Sequence, residues 1–175
     1  EGLTKGIRAK VSSYARNYIN STAAKGKITG NYVNSALAVM EAAEDGYDEA
    51  ILLDANGYVA EGSGENIFWV RRGKLWTTPT PTVLEGITRA TVLEIASDMG
   101  TPTGEATVTR DELYIADEVF FCGTGAEITP VREIDRRPVG TGGVGPATQQ
   151  IQAKYFGIVK GQEPEYRRWL TMVGE

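Results

Sequence analysis

The sequence of 175 residues contains no histidine. That excludes Ser-His-Asp and Cys-His catalysis, HExxH zinc sites and every other mechanism that needs an imidazole from this chain. Cys122 is the only cysteine, so no disulfide can form within the chain and no CxxC metal or iron–sulfur site is present. Such cysteine usage points to a reducing, cytoplasmic setting. No apolar run approaches the ~18–20 residues that cross a bilayer, and no signal-peptide pattern opens the chain. Positive charge is also in the minority. The 18 Lys and Arg against 23 Asp and Glu leave a net charge of −5, and the cations are scattered, which argues against a nucleic-acid surface. What remains is carboxylate, lysine, tyrosine and backbone chemistry, so an organic cofactor or a bound Mg²⁺ gains weight.

What is present suits one globular domain, with 41% hydrophobic and 23% charged residues. The chain starts on EGLTKGIRAK without an initiator Met and is read as a piece of a longer protein. Residues 6–15 alternate as a strand. From Asn31 to Asp45 the residues Tyr32, Ala36, Val39, Met40 and Ala43 recur at helical spacing, with Gly46 as the stop. Asn56-Gly57 predicts a two-residue hairpin turn between AILLD and YVAEG, and Arg72-Gly73 a second turn between NIFWV and KLWTT. GITRATVLEIASDMG predicts a helix with Val92, Ile95, Ala96 and Met99 on one face. Thr109 and Glu112 form a capping box, EVFFCG a buried strand, and Pro146 precedes a helix over Gln149 to Lys160. EPEYRRWLTMV predicts a terminal helix. Strands come in hairpin blocks with helices between them. The fold class expected is α+β, a mixed, largely antiparallel, barrel-like sheet with surrounding helices.

Several constellations bear chemistry. GTGGVG lacks the preceding buried strand and the later acidic residue of a dinucleotide fingerprint, and reads as a flexible loop. In LEGITR, Gly86 and Ile87 open a helix, whose free N–H groups and dipole suit an anion such as phosphate. FCGTGAE places small residues and the Thr124 hydroxyl directly after a buried strand, either as a ligand-binding turn or as a bare tight turn. Glu61 and Glu65 flank a Gly-Ser-Gly turn, where they could be an acid–base pair, Mg²⁺ ligands or an exposed acidic turn. Lys25 and Lys27 precede the Asn31 helix, and a lysine becomes a useful nucleophile only where burial or a cationic neighbour lowers its pKa.

Taken in order, KITGNYVNS, DANGYVAEGSGENIFWV, LEGITR and ADEVFFCGTGAEITPVREID resemble the branched-chain amino acid aminotransferases, which are class IV (fold-type IV) pyridoxal-phosphate enzymes. GPATQQIQAKYFGIVKG is similar to that family's C-terminus, and the resemblance runs from Gly6 to Leu170. It implies pyridoxal 5′-phosphate as cofactor, with Lys27 forming the internal aldimine and serving as the catalytic base; Lys25 is then a loop charge. It further implies Tyr32 on the cofactor's phenolic oxygen, Glu61 on its pyridine nitrogen and Leu84 on its ring face. The backbone of Ile87 and Thr88, together with Thr124, would hold the phosphate. Thr124, Gly125 and Ala126 would receive the substrate carboxylate. Glu65 is left as a structural turn carboxylate, and no metal is expected.

The reaction so implied moves an amino group between branched-chain L-amino acids and 2-oxoglutarate. A D-amino-acid aminotransferase, an aminodeoxychorismate lyase and a catalytically silent domain are the alternatives. Residues 1–175 would form the C-terminal cofactor-binding domain. The family's N-terminal domain, which supplies an arginine to the phosphate and groups that select the substrate, lies outside this sequence. The expected partners are amino acids and 2-oxo acids, with no nucleic acid or membrane, and a homo-oligomer in the full-length enzyme. Gly125 stands where the family more often has alanine.

Overall fold

A computed structural model describes residues 2–171 and 173. A short helix α1 (Gly2–Lys5) leads into β1 (Ile7–Val11), then α2 (Tyr32–Glu44), β2 (Glu49–Leu53), β3 (Val59–Gly62), β4 (Asn66–Arg71) and β5 (Lys74–Thr77). Helix α3 (Ile87–Asp98), β6 (Thr103–Glu105), α4 (Arg110–Tyr114), β7 (Glu118–Gly123), β8 (Glu127–Ile134), β9 (Arg137–Pro138) and α5 (Pro146–Val159) follow. The strands form one sheet in the order β3-β2-β1-β8-β7-β4-β5-β6, with β9 on β8. Pairing is parallel only for β1 with β2 and β8, and for β5 with β6. The mixed, mainly antiparallel sheet expected from the hairpin blocks is therefore present.

The sheet curls until its two edges meet. Val59 N–H on β3 donates to Val108 O just beyond β6 (2.8 Å), and Thr78 Oγ1 donates to Ala60 O (2.7 Å). Ile67, Trp69, Val119, Phe121, Val131 and Leu113 fill the inside of the curl. Alternate residues of the same strands, Phe68, Val70, Phe120 and Cys122, pack outward against Val92, Ile95 and Ile151 of α3 and α5. This two-sided burial explains why β4 and β7 read as unbroken apolar runs rather than alternating ones.

Several expectations need correction. The first strand ends at Val11, because Ser12 turns to donate its hydroxyl to Glu41 Oε2 of α2 (2.5 Å). Helix α2 buries Ser35, Ala38 and Ala42, while Val33, Leu37 and Met40 face out; its small residues allow close approach to Ala50 and Leu52 of β2. The Asn56-Gly57 connection is a longer loop, closed by Asp54 N–H to Tyr58 O (2.7 Å) and by Asp54 Oδ1 accepting from the N–H groups of Asn56 and Tyr58. Met99, predicted for the buried face of α3, is exposed at the C-cap. Residues Pro164–Trp169 form a 3₁₀ helix, not an α-helix; the part of the predicted terminal helix at Met172 lies outside the described residues.

The Arg72-Gly73 turn has both φ angles positive (52° and 72°), as a two-residue hairpin turn requires. The Thr109–Glu112 capping box is formed, and α5 begins with Pro146 at its first turn. Among the described residues, no helix is long and apolar enough to cross a membrane, and no group of three or more Cys, Asp or Glu is placed to hold a metal ion.

Candidate active site

Helix α2, the C-terminal ends of β3 and β7 and the N-terminus of α3 converge on a cavity of about 240 Å³. Its walls include Arg16, Lys27, Tyr32, Glu61, Glu65, Leu84, Thr88 and Thr124. Residues far apart in the sequence thus share one space.

Lys27 sits on a loop clamped by its neighbours. Asn31 Nδ2 donates to Ala23 O (3.2 Å) and Gly26 O (3.5 Å), and a 3₁₀ turn (Thr29–Asn31) hands the chain to α2. Tyr32 is the first residue of that helix, so its phenol lies beside the loop, and Lys27 Nζ donates to Tyr32 Oη at 3.0 Å. The Asn-Tyr pair therefore has two jobs: the amide holds the loop and the phenol meets the amine.

Glu61 stands on the opposite wall. Its position on β3 buries it, and burial pushes its carboxyl above the usual range while the Arg16 guanidinium pulls it back. Arg16 Nε donates to Glu61 Oε1 at 2.5 Å; both side chains are about nine-tenths hidden. Glu61 Oε2 accepts from Asn66 Nδ2 and from Leu84 N–H, each at 3.2 Å. Asn66 Nδ2 also donates to Leu84 O (2.8 Å), which fixes the segment carrying Leu84 against β4. A carboxylate so held is rigid and can face a positive ligand group at little reorganisation.

Gly86, the N-cap of α3, must lack a side chain, because a Cβ there would lie 2.2 Å from Asn66 Oδ1. Ala90 N–H is the first to bond back, to Gly86 O (3.1 Å), so the N–H groups of Ile87, Thr88 and Arg89 have no helical acceptor. They point a partial positive charge at the cavity. Buried Arg89 pins this helix start from behind, donating to Thr78 O (3.0 Å) and Glu105 Oε1 (2.6 Å). Thr124 enters from the turn after β7, together with Gly123 and Cys122. Burial pushes the Cys122 thiol far up, so it is a wall and not a nucleophile.

The residues chosen from sequence divide in one respect. Lys27, Tyr32, Glu61, Leu84, Ile87, Thr88 and Thr124 line the cavity, whereas Gly125 and Ala126 form the turn beyond it. A Cβ at Gly125 would meet nothing within 4 Å, so this position has room for the alanine that the family pattern favours.

Other participants gave weaker signals or were read differently. Arg16 lies in a polar loop, 45 positions from its partner, and gives no local signal. Asn66 does give one, as a polar residue opening an apolar strand. Lys25, read as a loop charge, bonds Glu85 Oε1 (2.8 Å) and the carbonyls of Thr80 and Val83, and so ties the lysine loop to the segment before α3. Glu65, read as a turn carboxylate, does accept Gly64 N–H (3.0 Å), but it also lines the cavity. Burial, then the charge of Glu49, push its carboxyl up to about 7.

The chain was also compared with known proteins. Residues 3–134 match the family model for amino-transferase class IV. The chain is 54% identical over 172 residues to a probable branched-chain-amino-acid aminotransferase of Aquifex aeolicus, covering 97% of this chain and 55% of that protein. It is 47% identical over 173 residues to the branched-chain-amino-acid aminotransferase of Pseudomonas aeruginosa, covering 99% and 56%. Among solved structures, the branched-chain amino acid aminotransferase of Thermobaculum terrenum in its PLP form superposes with a TM-score of 0.93 at 45% identity, over 97% of this chain and 56% of that one. The chain thus spans a little over half the length of these relatives.

Proposed function

Because this chain belongs to the class IV aminotransferase family, we propose that its cavity is the pyridoxal-phosphate site of a branched-chain amino acid aminotransferase. One observation carries the reading. A lysine with a phenol at 3.0 Å, a buried carboxylate paired with arginine, and an open helix N-terminus surround a single cavity. These are three different chemistries, suited in turn to an aldehyde beside a phenolic oxygen, to a protonated ring nitrogen and to a phosphate.

The residues present fit the cofactor. Ile87 and Thr88 N–H groups at the start of α3, with Thr124, would hold the phosphate dianion. Glu61 would sit on the ring nitrogen, Tyr32 on the phenolic oxygen and Leu84 on the ring face. When bound, pyridoxal phosphate supplies an electron sink that stabilises negative charge at a substrate α-carbon. Lys27 Nζ would hold the cofactor and, as a free amine, would serve as the base that takes a proton from the substrate α-carbon and as the acid that gives it back. Tyr32 keeps that amine within reach by accepting its hydrogen bond. The Arg16 guanidinium beside Glu61 offsets part of the burial that disfavours its anion, so Glu61 would be suited to face a protonated ring nitrogen. The turn at Thr124–Ala126 would receive the substrate carboxylate. Branched-chain L-amino acids as donors and 2-oxoglutarate as acceptor complete the reading, with a homo-oligomer as the assembled form.

The test is direct. Pyridoxal phosphate is added to the purified chain, the visible spectrum recorded, the product reduced with borohydride and the adduct mapped by mass spectrometry. The expected result is a coloured species trapped on Lys27 and absent from Lys27→Ala. Adducts spread over several lysines would overturn the assignment of Lys27. Activity with L-leucine and 2-oxoglutarate, against D-alanine and 2-oxoglutarate, then separates the branched-chain reading from the D-amino-acid one.

A further inference from the structure

A second cavity, of about 580 Å³, opens on the far part of the curled sheet, between the β4–β5 hairpin and residues 106–115. We propose that it is a binding site for a small carboxylate with an aromatic or branched apolar body, separate from the cavity that holds Lys27.

The floor is built by strand register. Trp69 and Trp76 are cross-strand partners on β4 and β5, and Arg71 and Lys74 are a further pair along the same two strands. Their side chains therefore share one face of the sheet. Val108 and Ile115 supply the facing wall, and Ile115 is 59% exposed although apolar. At the rim the Lys74 ammonium lies over the Trp76 ring, 3.8 Å from its centroid. This seat exists because residue 104 is glycine, since a Cβ there would come within 2.9 Å of both Trp76 and Lys74.

Charge decides the ligand class. Glu112 is the one acid among the residues lining the cavity, against Arg71, Arg72 and Lys74, and Asp117 stands beside it; each acid is held by hydrogen bonds. Asp117 takes Arg71 Nη1 (3.1 Å) and the Arg72 N–H (2.7 Å), while Glu112 takes the N–H and hydroxyl of Thr109 (2.9 Å each). Among the described residues, no carboxylate pairs with the Arg72 guanidinium or the Lys74 ammonium. Two cations without counter-charge therefore edge an aromatic-floored cleft on a chain whose net charge is −5. An anionic group meets the cations, and a flat or branched apolar body covers the tryptophan and the Val108–Ile115 wall. None of these residues takes part in the aminotransferase reading.

The tryptophans make the site its own reporter, since Trp69 and Trp76 are two of three in the chain. The purified chain is titrated with 4-iodobenzoate, whose heavy atom quenches indole emission, and with neutral 4-iodobenzamide. Saturable quenching by the carboxylate is expected, with the amide binding about tenfold or more weakly, the loss that goes with one charge-assisted contact. Arg72→Asn with Lys74→Gln should weaken the carboxylate by a similar factor, Asn being tolerated at the positive φ of residue 72. Lys27→Ala should leave it unchanged. Should the double variant fail to fold by circular dichroism, Ile115→Glu on the exposed wall replaces it, and is expected to abolish saturation. Unsaturable quenching, equal quenching in these variants, or loss in Lys27→Ala would each overturn the proposal.

Discussion

A carboxylate as buried as Glu61 survives only with a charge beside it, and Arg16 is that charge. The pair is nearly dry, with side-chain exposures of 11% for Arg16 and 7% for Glu61. Removing one partner leaves an uncompensated ion inside the protein, whereas removing both does not. Arg16→Met is therefore expected to lower unfolding stability by about 3 kcal/mol, and Arg16→Met with Glu61→Gln by clearly less. Urea denaturation of the four-member cycle measures both, and additive losses would show that the pair is not coupled. Legibility at this scale followed local motif strength. Lys27, Tyr32 and Glu61 lie in short stretches whose order carries the family resemblance, and the cavity collects all three. Arg16 reaches its partner only through the folded chain, so nothing in its neighbourhood of sequence announced it.

At the scale of elements, the segment 80–86 is held from two sides. Asn66 and Glu61 grip the backbone of Leu84, and Lys25 crosses from the lysine loop to Thr80, Val83 and Glu85. The Lys25–Glu85 pair is exposed and screened by solvent, so it adds little to global stability. Its effect is on the relative position of two loops that both face the cavity. Lys25→Met should leave the thermal midpoint nearly unchanged and speed release of bound pyridoxal phosphate about fivefold, the equivalent of roughly 1 kcal/mol. A release rate equal to wild type would show that Lys25 is only a surface charge. Turns and helix ends were legible because their signals are local, as with Arg72-Gly73, the Thr109–Glu112 box and Pro146. The buried face of α2 was not. Periodicity gives weight to large apolar residues, and this helix packs through Ser35, Ala38 and Ala42, where small side chains bring backbones close.

For the molecule as a whole, Glu65 links the cavity to stability. Its carboxyl in the folded state stands at about 7 against an ordinary 4.5, chiefly because burial disfavours the anion. Between those values the folded chain therefore holds a proton that the unfolded chain has released. Its stabilising contribution is full below pH 4.5, declines as pH rises, and is gone above about 7. Glu65→Gln should flatten this part of the stability profile, so that the variant gains on wild type between about pH 5 and about 7.5. Denaturation midpoints across that range, without added cofactor, measure it, and parallel profiles would refute the assignment. The class of fold was legible from hairpin blocks separated by helices. The strand order was not, because β1 pairs with β8, far along the chain, and no local pattern encodes such a partner.

That pairing orders the birth of the molecule. In the ladder order β1 joins β3-β2 to β8, and Val11 N–H reaches Asp135 Oδ1 across 124 positions. Closing so long a loop is slow compared with zipping the β4–β5 and β7–β8 hairpins. Glu61 arrives with the β3-β2 half and Thr124 with the β7-β8 half. The cavity takes walls from both, so a ligand that requires both walls recognises only chains in which they have come together.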